Sequence, residues 1–275
     1  MAPGSGFDVY SPREIAERLE QLCVAKSVTP LLSLVMLGVL AGAFIGLGSL
    51  FYVIVASDPT LGFAAQRVLG GAVFSLGLLL VVVAGAELFT GNNLLAMAWA
   101  HGLLSTRDVL ANWIVVCAAN FVGAAGLALL VFLSGHAEMN GGLIGKTYVA
   151  IAHAKSELPF WTAFFRGALC NVLVCMAVWM TLAGRSVVDK FLAVLMPIAA
   201  FVAAGFEHSI ANMYFFPLAT MLEAAAGEPV QVGWLWTNLL PVIAGNIFGG
   251  SVMVALVYYV VYRRGAPTAR ADEAG

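Results

Sequence analysis

Six long apolar runs are the feature of this sequence that most restricts its fold. A helix rising 1.5 Å per residue needs about 20 apolar residues to cross a hydrocarbon core about 30 Å thick. Runs of that length occupy roughly residues 30–55, 67–99, 109–133, 159–183, 190–220 and 234–262. Only 10% of the residues are charged, against about 25% in a soluble domain. The sequence therefore predicts an all-helical membrane protein, and its composition excludes a disordered chain, a disulfide-stapled secreted domain and a nucleic-acid-binding protein.

Basic residues divide unequally between the segments that join these runs. Six spans place both termini on one side, which collects nine basic residues: Arg13, Arg18, Lys26, Arg107, Arg185, Lys190, Arg263, Arg264 and Arg270. The other side holds Arg67, Lys146 and Lys155. The positive-inside rule then predicts cytoplasmic termini.

Three regions follow from this topology: an amino-terminal cytoplasmic segment at 1–29, a single six-span domain at 30–262 and a cytoplasmic tail at 263–275. Apolar positions recur among mixed charges at 8–26. This pattern predicts a short amphipathic helix at the inner surface, with a simple lead-in to the first span as the alternative.

The second and fifth runs are too long for one straight span. About 30 residues of helix measure roughly 45 Å, and polar residues interrupt both runs, at 85–93 and 205–212. Irregular backbone at membrane depth is tolerated only where protein or a water-filled cavity satisfies its polar groups. The interruptions therefore predict a pore, and the helix N-termini that follow them favour an anionic solute.

The two interruptions also match each other. Three polar or glycine positions recur 120 residues later, as Gly85 and Gly205, Glu87 and Glu207, and Asn92 and Asn212. Three more recur 126 residues later, as Asn112 and Asn238, Asn120 and Asn246, and Gly123 and Gly249. A repeat of three spans enters the bilayer upside down in its second copy, so the sequence predicts a 3+3 inverted repeat with the solute path between the copies.

His208 is the one histidine inside a predicted span. An ionisable group in the membrane is costly and indicates function, and imidazole changes its charge near neutral pH. Glu87 and Glu207 are expected to cap the backbone N–H groups of the broken helices, with proton transfer as the alternative. Lys155, at the outer edge, either draws anions to the entrance or is an ordinary solvated charge.

Several polar side chains near the breaks have two interpretations each, contact with the solute or hydrogen bonding between helices: Thr90, Asn92, Asn171 and Asn212. Thr90 is the preferred pore residue because it lies inside the first break. Arg166 is expected to extend toward the outer interface. The four cysteines, Cys23, Cys117, Cys170 and Cys175, lack metal-ligand spacing and are interpreted as apolar fillers.

Four segments make the sequence recognisable: FDVYSPREIAERLEQ at 7–21, AELFTGNN at 86–93, NWIVVCAANFVG at 112–123 and GFEHSIANMYFFPLA at 205–219. They resemble the formate/nitrite transporter family, most closely its formate-channel branch, over roughly residues 8–262. The resemblance implies a homopentamer of aquaporin-like protomers in the bacterial inner membrane, each protomer with its own pore. It implies neither enzymatic activity nor a cofactor or metal.

The same resemblance implies roles for individual residues. The histidine matching His208 stands in the pore and faces the threonine matching Thr90, and a polar group that attracts the anion and orients the histidine comprises Lys155, Asn171 and Glu207. Two apolar constrictions flank the histidine. The cytoplasmic one is formed by Leu78, Leu88 and Phe89, and the periplasmic one by Phe74 and Phe201. The amino-terminal segment is implied to act as a pH-responsive plug.

The sequence thus predicts a pH-dependent, bidirectional channel or transporter for formate and similar small monovalent anions, with proton exchange at His208. Alternatives within the family are nitrite and hydrosulfide channels, and acetate and lactate are further candidate solutes. An aquaporin-like channel for neutral solutes would carry Asn-Pro-Ala at the breaks, where this chain has Asn-Asn-Leu at 92–94 and Asn-Met-Tyr at 212–214. A membrane redox subunit would need paired histidines or clustered cysteines.

Overall fold

The computed structural model describes residues 9–266, which form helices and connecting segments without a strand. The helices are α1 (Pro12–Ser27), α2 (Leu31–Ala56), α3 (Phe63–Phe74), α4 (Leu76–Ala84), α5 (Phe89–Asn92), α6 (Leu95–Ala100), α7 (Thr106–Leu133), α8 (Leu143–Ser156), α9 (Phe160–Thr181), α10 (Val187–Ala204), α11 (Ser209–Ala225) and α12 (Leu235–Arg263), the last largely π-helical. Six helical segments are long and apolar enough to cross a membrane: α2, α3 with α4, α7, α9, α10 and α12. The predicted all-helical, six-span fold is confirmed.

Helix α1 occupies the segment where the sequence predicted a short amphipathic helix. It begins at a capping box formed by Ser11 and Glu14. Glu20 in α1 is buried, and its carboxylate lies 2.8 Å from His101 Nδ1 and accepts a hydrogen bond from Arg263 Nε, also at 2.8 Å. These contacts attach α1 to His101, which directly follows α6, and to Arg263 at the end of α12.

Helix α8 lies in a connection that the sequence did not predict to be helical. Its buried residues Ile144, Tyr148 and Ala152 recur every four positions, so one face packs on the rest of the protein. The hydroxyl of Tyr148 lies 2.9 Å from that of Tyr214 in α11. This packing brings the C-terminal end of α8, with Lys155, over the second break. Because three spans separate α8 from α1, the two helices mark opposite ends of the molecule.

The two halves of the chain pack their helices equally closely at matching glycines. A Cβ added to Gly123 in α7 would lie 1.9 Å from the carbonyl oxygen of Val39 in α2. A Cβ added to Gly249 in α12 would lie 2.0 Å from the carbonyl oxygen of Ala168 in α9. Neither contact leaves room for a side chain, so each helix pair approaches to a distance that only glycine permits.

Both predicted interruptions are present. Helix α4 ends at Ala84 and α10 ends at Ala204, and the next residues, Gly85 and Gly205, have φ angles of 82° and 75°. Such left-handed backbone favours glycine. Three further non-helical residues follow each glycine before α5 begins at Phe89 and α11 at Ser209.

Candidate functional site

Two asparagines hold the broken backbone, and the expectation that Glu87 and Glu207 cap it is wrong. Asn120 Oδ1 accepts from the N–H of Phe89 at 2.9 Å, and Asn246 Oδ1 accepts from the N–H of Ser209 at 3.0 Å. The Nδ2 of each asparagine donates to two backbone carbonyls. A carboxamide both accepts and donates, so it satisfies the N–H and C=O groups that a break exposes. A carboxylate only accepts.

The carboxylates instead bind lysines. Lys26 Nζ donates to Glu87 Oε2 at 2.7 Å, and Lys155 Nζ donates to both oxygens of Glu207 at 2.9 and 3.0 Å. Both carboxyl groups are also hydrogen-bonded by asparagine, at 2.8 Å in the first half and 2.7 Å in the second. Each buried negative charge is therefore paired and hydrogen-bonded, as burial requires. Sequence reasoning singled out Lys155 but not Lys26.

These contacts repeat one by one in the two halves of the chain. The amide of Asn92 donates to Asn112 at 2.9 Å, as that of Asn212 does to Asn238 at 2.7 Å. Asn120 donates to the carbonyl of Gly38, and Asn246 donates to that of Gly167. The residues that the sequence aligned across the repeat therefore occupy matching positions, which confirms the 3+3 repeat.

A cavity of about 360 Å³ lies on the α1 side of the first break. Its wall includes Leu78 and Leu88, which were predicted to form a constriction, together with Glu87, Lys26 and Lys190. Helix α1 supplies part of this wall through its apolar face. The predicted third member of the constriction, Phe89, is buried and does not line the cavity.

A second cavity, of about 230 Å³, lies on the α8 side of the second break. It is lined by the predicted constriction residues Phe74 and Phe201 and by His208, Glu207 and Lys155. Two further cations that line it are Arg67 and the exposed Arg166. Phe74 is the last residue of α3 and Leu78 lies in α4, so the span formed by these two helices runs from the second cavity to the first.

Thr90 and His208 meet between the two cavities. His208 Nε2 lies 3.0 Å from Thr90 Oγ1, although 118 residues separate them in sequence. His208 lines the second cavity, while Leu88 and Gly91, which are close to Thr90 in the chain, line the first.

His208 is the N-cap residue of α11, immediately before Ser209. Its Nδ1 accepts the N–H of Ala211 at 3.2 Å, so the neutral ring carries its proton on Nε2. That proton points at Thr90 Oγ1, which leaves the threonine hydroxyl hydrogen free to donate elsewhere. Phe201 stacks on the imidazole at a centroid distance of 5.9 Å, and Phe74 meets Phe201 edge-on at 5.6 Å.

Asn171 lies behind this pair and lines neither cavity. It is fully buried in α9, and its Nδ2 donates to the carbonyls of Thr90 at 3.2 Å and Asn246 at 2.6 Å. Of its two interpretations, the structure favours hydrogen bonding between helices. Asn171 thereby joins the start of the helix after the first break to α12.

Comparisons with known proteins agree with this architecture. The sequence pattern of the family described as "Formate/nitrite transporter" matches residues 13–260. The chain belongs to the formate/nitrite transporter family. Formate channel FocA of Escherichia coli strain K12 is 36% identical over 96% of this chain and 98% of its own length. Formate channel BtFdhC of Bacillus thuringiensis is 37% identical over 93% of this chain and 96% of its own length.

A solved structure described as "Pentameric formate channel with formate bound" has the same fold, with a TM-score of 0.78 and 36% identity. The match covers 84% of this chain and 97% of that one. This formate/nitrite transporter is thus a multi-span membrane protein with bacterial relatives, and its family transports solutes instead of catalysing reactions.

The charges around the two cavities favour anions. The first cavity is lined by two lysines, Lys26 and Lys190, and by one carboxylate, Glu87, so its lining has a net charge of +1. The second cavity is lined by three cations, Arg67, Lys155 and Arg166, and by one carboxylate, Glu207, so its lining has a net charge of +2 with His208 neutral. A cleft with an excess of one sign and low-dielectric walls concentrates the opposite ion. Among residues 9–266, no group of three His, Cys, Asp or Glu is placed to hold a metal.

Proposed function

We propose that this formate/nitrite transporter is a pore for formate and similar small monovalent anions, and that the solute crosses the layer containing Thr90 and His208. The observation that carries the proposal is the contact of these side chains between two positively charged cavities. Similarity to proteins named as formate channels supports formate as the preferred solute.

The apolar residues on either side of the pair form the barrier. Leu78 and Leu88 line the first cavity, and Phe74 and Phe201 line the second, which supports their role as the two constrictions. Moving a bare anion past apolar side chains costs several kcal/mol. The Thr90 hydroxyl offsets part of this cost because its hydrogen is free to donate to a carboxylate between the constrictions, and the His208 Nε2–H does the same once it turns away from Thr90 Oγ1. Lys155 and Glu207 hold the second break in place and supply positive charge to its cavity.

Proton exchange at His208 has a geometric requirement. The Nδ1 atom accepts the Ala211 N–H, so an imidazolium forms only when this hydrogen bond opens. At low external pH, uptake proceeds as formic acid, which crosses the apolar layer more easily than formate. Near neutral pH, export dominates. Flow in both directions follows the gradients of formate and protons.

The assembly and orientation extend this proposal. A relative described as a pentameric formate channel supports a homopentamer with one pore in each protomer. The distribution of basic residues supports the inner membrane with cytoplasmic termini, so the first cavity faces the cytoplasm. Residues 1–29, 30–262 and 263–275 are the amino-terminal segment, channel domain and tail, and α1 in the wall of the first cavity gives the amino-terminal segment a place to act.

The test is flux into proteoliposomes for formate, nitrite, hydrosulfide, acetate and lactate, each at pH 5.5 and pH 7.5. Thr90→Ser keeps a hydroxyl and Thr90→Val removes it at similar volume. We expect formate flux through the wild type, near-normal flux through Thr90→Ser, and a loss of about tenfold through Thr90→Val, which corresponds to one hydrogen bond of about 1.4 kcal/mol in the barrier. Equal flux through both variants would contradict the proposal.

The anion panel also tests the alternatives. Faster flux of nitrite or hydrosulfide than of formate would favour those branches of the family. Glycerol or water flux without anion flux would favour a neutral-solute channel.

A further inference from the structure

Arg67 makes a contact across the second constriction that the proposed pore does not account for. It is the fifth residue of α3, where Nε donates to the carbonyl of Ala203 and Nη2 donates to that of Val202, both at 2.9 Å. These carbonyls belong to the last turn of α10. The C-terminal turn of a helix carries partial negative charge, which a bound guanidinium offsets. The Val202 carbonyl also accepts the N–H of Gly205 at 3.0 Å, so Arg67 adds a second hydrogen bond at that oxygen.

The turn that Arg67 binds also carries Phe201. The ring of Phe201 stacks on His208 and is met edge-on by Phe74, which is on α3 like Arg67. Helix α3 therefore contacts the end of α10 in two ways, through the two hydrogen bonds of Arg67 and through the edge-on contact of Phe74 with Phe201. A planar guanidinium with two parallel hydrogen bonds fixes the orientation of its partner more tightly than one contact does.

This contact joins the two halves of the chain and has no counterpart at the position that the repeat matches to Arg67. The repeat offset of 120 takes Arg67 to Val187, whose side chain has no hydrogen-bonding group. The first cavity is lined by Leu78 and Leu88, which are aliphatic. The two proposed constrictions thus differ in construction, and Arg67 binds the helix that carries the aromatic one.

We infer that Arg67 is a positioning residue that sets the size limit of the pore. By holding the end of α10, it keeps the Phe201 ring against Phe74 and His208, so that formate passes and bulkier monocarboxylates are excluded. The inference rests on the proposed function. The competing explanation is that Arg67 acts only as one more cation in the second cavity.

Two substitutions separate these explanations. Arg67→Lys keeps the positive charge but cannot make the forked pair of hydrogen bonds. Arg166→Gln removes a charge from the same cavity, where the Arg166 side chain is exposed. A positioning role predicts that the ratio of lactate flux to formate flux rises in Arg67→Lys and stays unchanged in Arg166→Gln. A purely electrostatic role predicts an unchanged ratio in Arg67→Lys, with lower flux of both anions in Arg166→Gln.

The measurement is the ratio of lactate flux to formate flux in the same proteoliposomes, with Arg67→Gln as a third variant. The ratio is independent of the amount of folded protein. We expect it to rise about threefold to tenfold in Arg67→Lys and Arg67→Gln, which is about 0.7 to 1.4 kcal/mol in relative barrier. A ratio unchanged in Arg67→Lys, or raised equally in Arg166→Gln, would overturn the inference.

A second pair of variants tests the inference if neither Arg67→Lys nor Arg67→Gln inserts into the membrane. A Cβ at Gly205 would lie 2.9 Å from Arg67 Nη2, whereas a Cβ at Gly85 would meet nothing within 4 Å. Both glycines have positive φ, so Gly205→Ala and Gly85→Ala share the backbone strain. Only Gly205→Ala displaces the guanidinium, and we expect it alone to raise the ratio. Equal ratios in the two variants would overturn the inference, whereas a wild type without formate flux would contradict the proposed function.

Discussion

Replacing Asn246 with alanine tests whether amide side chains hold the broken helices in place. Asn246 is fully buried and makes three hydrogen bonds, of 3.0, 2.8 and 3.1 Å, to the backbone of Ser209, Gly167 and Glu207. Interhelical hydrogen bonds in membranes contribute about 0.6 kcal/mol each, whereas orphaning a buried polar group costs about 1–3 kcal/mol. We therefore expect the free energy of unfolding to fall by about 2–5 kcal/mol.

The repeat supplies a matched comparison for this variant. Asn120 makes the same three hydrogen bonds in the first half, of 2.9, 2.7 and 2.9 Å, so Asn120→Ala should cost about the same. Ser251→Ala, also in α12, removes one hydrogen bond of 3.2 Å and should cost about 0.6 kcal/mol. The assay is unfolding in mixed micelles by titration with sodium dodecyl sulfate, followed by tryptophan fluorescence. If Asn246→Ala costs no more than Ser251→Ala, the reasoning is refuted.

Three further predictions follow from the packing and the ion pairs. Lys155→Met should abolish membrane insertion or reduce formate flux by at least about tenfold, because it leaves Glu207 buried without its cation. Adding Glu207→Gln to this variant should restore the yield of folded protein, measured by size-exclusion chromatography. Gly249→Ala should prevent a stable fold, because its Cβ would lie 2.0 Å from a backbone oxygen; normal yield and melting temperature would contradict this. In His101→Ala, trypsin should cleave α1 roughly tenfold faster, because Glu20 loses a buried partner, and an unchanged cleavage rate would show that the His101 contact does not hold α1.

Much of the fold follows from the sequence because the membrane imposes it. The thickness of the bilayer fixes the length of each span, and polar residues such as Glu87 and Asn212 are so costly within a span that their position reveals the breaks. Helix α8 escaped prediction because it lies outside the bilayer-length runs. Its three buried positions, four residues apart, are too few to distinguish it from a loop.

The site was predictable only in part, because its contacts join distant segments. Which side chain satisfies a break depends on α7 and α12, so the sequence suggested Glu87 where the structure uses Asn120. Lys26 and Lys155 bind the matching glutamates of the two halves but lie 129 positions apart in the sequence, so the repeat offset of 120 does not align them. The pairing of Thr90 with His208 came from family resemblance and not from spacing.

The pH dependence of formate flux in His208→Asn tests the central claim most directly. Asparagine can still donate a hydrogen bond but cannot bind a proton near neutral pH, and His153→Asn is the matched control because His153 is half-exposed and pairs with Glu223 away from the pore. The account predicts that wild type and His153→Asn increase formate uptake as the external pH falls from 7.5 to 5.5, while His208→Asn transports at a rate independent of pH. A His208→Asn variant with the pH response of the wild type would contradict the account.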